Sequence, residues 1–174
     1  MTTMKKFIYI AALLIGAALT LTACGGDDEP KEDVTATATY QMTFSQDLLD
    51  ACNGIILYYK GENGKNDFQP ITSNWWTKSV TSNKFPAEFG VMYKFSTKSG
   101  ADLKKEKYDL TCDLIFTVKT NKGLNHSNTV NIINSKGVDK SKVESIINRI
   151  NGQSTGFKVT KDGNVAQDDN LKYE

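Results

Sequence analysis

The side chains able to do chemistry are few, and their types and spacing restrict what they can do. His126 is the single histidine, so Ser-His-Asp or Cys-His catalysis would have to run through it. It stands in Lys122-Gly123-Leu124-Asn125-His126-Ser127-Asn128, which reads as a polar loop without apolar shelter. No catalytic residue is assigned there. One histidine excludes a histidine-rich zinc site, and neither Cys-x-x-Cys nor His-Glu-x-x-His spacing occurs. Asp162-Gly163-Asn164 and Asp168-Asp169-Asn170 are rich in oxygen but lack the calcium helix-loop-helix spacing, and they read as turns. No metal is expected. No cofactor is expected either, because no Walker or dinucleotide-binding glycine pattern is present to cradle a phosphate.

Paired carboxylates are the remaining catalytic possibility, since glycoside hydrolysis needs only two, held roughly 5–10 Å apart. Asp109 and Asp113 lie four apart on the polar face of one strand, which separates them by about 13 Å at ~3.3 Å per residue. Glu88 joins either only if the strand order brings it across. A carbohydrate-active enzyme of the cell envelope is therefore an alternative reading, and solvated surface charge is the preferred one.

Binding chemistry centres on Trp75-Trp76. Adjacent strand residues face opposite sides, so at least one ring is available to stack on a glycan or pack against a partner protein; the preferred reading places one tryptophan in the core and the other over its rim. Tyr58, Tyr59 and Tyr93 read as core and rim. Cys52 and Cys112 leave two outcomes open: a disulfide across the core, or two buried free thiols acting as small hydrophobes.

These residues sit on elements whose period is mostly two. Val34, Ala36, Ala38, Tyr40, Met42 and Phe44 alternate with Thr35, Thr37, Thr39, Gln41 and Thr43, the pattern of a half-buried strand. The same alternation runs through Ala87 to Phe95 and Tyr108 to Val118. Shorter strands are expected at Ile55–Tyr59, near Trp75–Val80, at Thr129–Ile133 and at Gly156–Thr160, with irregular gaps at 61–74 and 119–128. Asn63-Gly64 and Asp162-Gly163 supply turn chemistry. Val143, Ile146, Ile147 and Ile150 recur at helical spacing, predicting one amphipathic helix near residues 140–151. Ser141-Lys142-Val143-Glu144 fits a capping box, Asp139 is an alternative cap, and Asn151-Gly152 is the stop. The fold predicted is all-β, an antiparallel β-sandwich of immunoglobulin-like or prealbumin-like type; a closed barrel of lipocalin type is the rival.

The N-terminus carries an address. Lys5 and Lys6 precede an apolar run from Phe7 to Leu19, too short to span a bilayer that needs about 20 apolar residues. Leu21-Thr22-Ala23-Cys24 resembles the lipobox of bacterial lipoproteins, which implies removal of residues 1–23 and a lipid on Cys24. Gly25-Gly26-Asp27-Asp28-Glu29-Pro30 resembles the acidic export signal of Bacteroidetes surface lipoproteins. That resemblance implies an outer-membrane protein facing the cell exterior. Residues 24–33, without a large apolar side chain, read as a flexible acidic tether, and 34–174 as one domain. The segment Tyr40-Gln41-Met42-Thr43-Phe44-Ser45-Gln46-Asp47-Leu48-Leu49-Asp50 is similar to the first strand of small β-sandwich surface lipoproteins of the same group.

The whole chain has 21 Lys and Arg against 20 Asp and Glu. Loss of Lys5 and Lys6 leaves it almost neutral, with no electrostatic footprint for nucleic acid. The expected partners are a membrane, through the lipid, and a glycan or surface protein. The function expected is a non-enzymatic, surface-tethered binding or adhesion module; an accessory subunit of a surface complex or fimbria is a further alternative.

Overall fold

The computed structural model describes residues 33–173; the signal, Cys24 and nearly all of the tether lie outside the described residues. The chain runs β1 (Ala36–Phe44), α1 (Gln46–Asp50), β2 (Cys52–Lys60), β3 (Asn66–Ile71), β4 (Trp75–Ser82), β5 (Ala87–Thr97), β6 (Lys107–Thr120), β7 (Asn125–Asp139), α2 (Val143–Ile150), β8 (Ser154–Val159) and β9 (Val165–Gln167). Two antiparallel sheets form, ordered β4-β1-β6-β7 and β3-β2-β5-β8-β9. Each ends in free edges and they pack face to face, so the protein is an all-β sandwich and not a closed barrel. Among the described residues no helix is long and apolar enough to cross a membrane.

The period-two reading explains the core. Ala36, Ala38, Tyr40, Met42 and Phe44 of β1 are buried, as are Tyr108, Leu110, Cys112, Leu114, Phe116 and Val118 of β6 and Ala87, Phe89, Val91, Tyr93 and Phe95 of β5. Phe116 and Phe157 stack between the sheets with centroids 4.3 Å apart and ring planes within 9°. The Tyr40 side chain crosses the sandwich. Its hydroxyl donates to the Lys60 carbonyl at 2.9 Å and accepts from the Gly90 amide at 3.0 Å. β2–β5 pairing stops one residue short of that point, at Tyr59–Val91. A phenol of one sheet thus takes the place of a ladder bond in the other.

Both expected gaps hold regular structure. Residues 66–71 form β3, exposed along nearly its whole length; an edge strand wet on both faces has no apolar alternation to read. Residues 121–124 are a hairpin turn between β6 and β7, closed by Thr120 N–H to the Leu124 carbonyl at 3.0 Å, with Gly123 at φ 98°. Asn63 and Gly64 adopt φ 55° and 75° at the β2–β3 turn. The short α1, five residues long, has no helical periodicity to read in the sequence. Ser45 caps it by accepting from Leu48 N–H, and the same oxygen accepts from Thr111 N–H.

The helix expected at 140–151 is α2, preceded by a tight turn at Lys140–Lys142. The capping box does not form: the turn places Lys142, which offers no side-chain acceptor, at the N-cap. The stop is as expected. Asn151 ends the helix, and its amide accepts from Phe95 N–H at 2.8 Å while donating to the Phe95 carbonyl at 3.1 Å, docking α2 on β5.

A C-terminal strap covers the outer face of the second sheet. Gly90 and Gly156 are paired across β5 and β8, leaving a floor without side chains. Leu171 and Tyr173 fill it and are buried. Asp168 ties the strap down through Lys158 at 2.7 Å, and Ser154 donates to the Asp169 carbonyl at 2.8 Å.

Candidate functional site

The outward residues of β4, β1, β6 and β7 line up across the first sheet in rows. One row is Trp75, Thr43, Asp113 and Asn131; the next is Thr77, Gln41, Ile115 and Thr129. Two more follow, Ser79-Thr39-Thr117-Ser127 and Thr81-Thr37-Lys119-Asn125. Threonines alternating with the core residues of β1 create this face, so the periodicity that builds the interior also builds a hydroxyl-rich exterior. Neighbouring hydroxyls bond to one another, Thr37 to Thr81 at 3.0 Å, Thr39 to Ser79 at 2.9 Å and Thr117 to Ser127 at 3.2 Å. Such cross-strand pairs stabilise the sheet modestly, by about 0.2–1 kcal/mol each. In these four rows the charges are Asp113 and Lys119 alone, Asp113 in the middle of β6 and Lys119 near its end.

Trp75 heads the first row. The residue is 62% exposed. Its carbonyl accepts from Ser73 Oγ at 2.7 Å, and Phe44 N–H bonds the Asn74 carbonyl at 2.8 Å, so the backbone beneath the ring is fixed from both sides. Ile115, 39% exposed, is the other large apolar side chain on this face. Between them lies a shallow hollow of about 230 Å³ bordered by Gln41, Thr43, Thr77 and Asp113. Asn131 Nδ2 donates to Asp113 Oδ1 at 2.6 Å, which orients the carboxylate.

Trp76 points the other way. It stacks on Tyr40, with centroids 6.1 Å apart and planes at 21°, and meets Tyr59 at 5.4 Å. The two tryptophans therefore divide as strand geometry requires: Trp75 faces solvent and Trp76 walls the core.

The carboxylates considered for catalysis do not converge. Glu88 sits on the outer face of the second sheet between Lys60 at 3.8 Å and Lys158 at 3.6 Å. Asp109 accepts from Gly137 N–H at 2.7 Å in a bulge between β6 and β7. Glu88 thus belongs to one outer face of the sandwich and Asp109 and Asp113 to the other. His126 is not in a loop: it is the second residue of β7, opposite Val118, half-buried with its ring 6.5 Å from that of Phe157. Among the described residues no cluster of three metal-ligating side chains occurs. Asp162-Gly163-Asn164 turns the β8–β9 hairpin, and Asp168 is engaged by Lys158 and by Asn170 N–H.

Cys52 and Cys112 are free and buried, Cys52 at the start of β2 in the second sheet and Cys112 in the middle of β6 in the first. Burial pushes the Cys52 thiol up to about 11 and the Cys112 thiol higher still. Both are moved away from the thiolate a nucleophile needs. Cys52 borders an open polar hollow of about 460 Å³ with Asp50, Asn53, Asn74 and Lys98.

A second exposed aromatic, Phe68, escaped sequence reading. It is 60% exposed on β3 and packs against Tyr58 at 6.2 Å, with Lys94 Nζ 5.1 Å from the Tyr58 ring. It lies on the outer face of the other sheet. Comparison with protein-family models, with curated proteins and with solved structures returns no match to this chain.

Proposed function

We propose that this protein is a non-enzymatic binding module tethered to the outer surface of the outer membrane. In this reading the lipid on Cys24 supplies membrane contact, residues 24–33 act as the leash, and the domain presents its first sheet to extracellular ligands. One observation carries the choice of face: Trp75, 62% exposed, lies over a row of polar side chains held by the sheet register. An indole left in water at a fixed position is available as a stacking surface. The dispersal of the acidic residues over two faces supports a binding role over hydrolysis by a carboxylate pair.

The test uses cells displaying the wild-type chain, Trp75→Ala or Cys24→Ala, laid on arrays of immobilised glycans and extracellular glycoproteins. Trp75→Ala is expected to remain on the cell surface, accessible to added protease, and to lose the array signal. Cys24→Ala is expected to leave the membrane fraction. Equal array binding by Trp75→Ala and wild type would refute the assignment of this face, and a membrane-bound Cys24→Ala would refute the anchor.

A further inference from the structure

Resting on the reading of this face as the binding surface, we infer that its ligand is a neutral glycan: one pyranose ring stacks on Trp75 and the chain continues across the row toward Thr43, Asp113 and Asn131. Three features of the face lead there. Its apolar content is one indole and the edge of Ile115, whereas the fully buried centre of a protein interface is about 65% apolar and a stable one covers roughly 800 Å² per partner. A single ring flanked by hydroxyls and amides matches a ligand that has an apolar ring face and a hydroxyl rim.

Size gives the second constraint. The hollow beside Trp75 holds about 230 Å³, below the roughly 300–1,000 Å³ of sites that enclose a drug-sized molecule. It seats one ring and leaves the rest of the ligand lying on the sheet. The row extends from there across four strands, about 14 Å at ~4.8 Å per strand. That run suits an extended polymer, not a compact metabolite.

Charge gives the third. Asp113 stands in the row itself, and the lysines that β6 places on this face, Lys107 and Lys119, each lie six residues from it along the strand. A carboxylate or sulfate on the sugar would meet Asp113 in a row that holds no lysine or arginine. With Oδ1 held by Asn131, the other carboxylate oxygen remains to accept a hydroxyl proton from a neutral sugar. Gln41 supplies a second amide at the border of the hollow.

The experiment is affinity electrophoresis of the purified full-length protein through gels containing neutral polymers (galactomannan, xyloglucan, laminarin) or anionic ones (polygalacturonate, heparin). Retardation by at least one neutral polymer is expected, with none by the anionic pair. Trp75→Ala should weaken it about tenfold, Trp75→Tyr should restore part of it, and Phe68→Ala, on the opposite face, should leave it unchanged. Asp113→Ala should weaken it severalfold. Retardation by the anionic polymers alone, or by none of the five, overturns the neutral-glycan assignment. If Trp75→Ala has in addition lost the array binding described above, the face survives and only its ligand class falls. If Trp75→Ala binds a neutral polymer as wild type does, both fall together.

Discussion

Removing a single oxygen atom, by Tyr40→Phe, is the sharpest test of how the two sheets are joined. The hydroxyl is buried, donates to the Lys60 carbonyl at 2.9 Å and accepts from the Gly90 amide at 3.0 Å. Phenylalanine keeps the ring against Trp76 and Phe116 but strands the Gly90 N–H away from water, at a cost of about 1–3 kcal/mol. Loss of the bond to Lys60 adds ~0.5–1.5 kcal/mol, and that carbonyl suffers less because it has a second lone pair. The sum is roughly 2–4 kcal/mol. At about 4 °C per kcal/mol for a domain near 150 residues, the midpoint of thermal unfolding should fall by about 8–16 °C. Urea unfolding followed by tryptophan fluorescence, with the partly buried Trp76 as the reporter, measures the loss directly, and the slope m should not change. Tyr173→Phe is the matched control, since the Tyr173 hydroxyl is buried with no hydrogen-bond partner among the described residues and its removal should be neutral or slightly stabilising. A loss below about 1 kcal/mol for Tyr40→Phe, or an equal loss for Tyr173→Phe, would show that the inserted hydroxyl does not hold the sheets.

Other measurements address the strap, the thiols and the acid response. In Gly156→Ala the added methyl carbon would lie 2.6 Å from both the Asp168 carbonyl and Leu171 Cδ1, so the strap must lift; a destabilisation of about 1–3 kcal/mol is expected in denaturant unfolding. Gly54→Ala, with nothing within 4 Å of the new carbon, should stay within about 0.5 kcal/mol of wild type. Cys52 and Cys112 should resist iodoacetamide in the native protein at pH 8 and both react after unfolding without reductant; failure to label the unfolded chain would reveal a disulfide. Lys105 and the Asp109 amide hold the Asp47 carboxyl below the usual carboxylate range. Its contribution is therefore complete above the ordinary aspartate value near pH ~4 and is lost as pH falls through the depressed folded-state value. Asp47→Asn should lower stability at pH 7 and make the acid limb of the stability profile shallower, and an unchanged limb would count against the Asp47–Lys105 pairing.

The sequence by itself determined the class of fold and the inner face of each long strand. Alternation in β1, β5 and β6 is imposed by water on one side and a core on the other, so Tyr40, Phe89 and Phe116 are legible as interior residues before any coordinates. The apolar stripe of α2 and its Asn-Gly stop are readable for the same reason, as is the division of Trp75 from Trp76. β3 was hidden because an edge strand exposed on both faces carries no periodic signal, and Phe68 was hidden with it. The missing cap of α2 is a tertiary effect, since the tight turn after β7 decides which residue stands at the helix start. His126 reads as a loop residue in the sequence because a polar edge strand and a polar loop have the same composition.

Only the tertiary structure decided which side chains stand together. Thr43, Asp113 and Asn131 lie far apart in the chain and meet Trp75 because β1 is inserted between β4 and β6, a strand order that no local pattern encodes. The same order sends Glu88 to the opposite face and takes the carboxylate pair apart. Tyr40 could be recognised as buried from its period, but its role as the link between sheets depends on an interruption in the β2–β5 ladder. Periodicity records which residues avoid water; it holds no information about which strand lies beside which, and both the recognition face and the joint between the sheets depend on that adjacency.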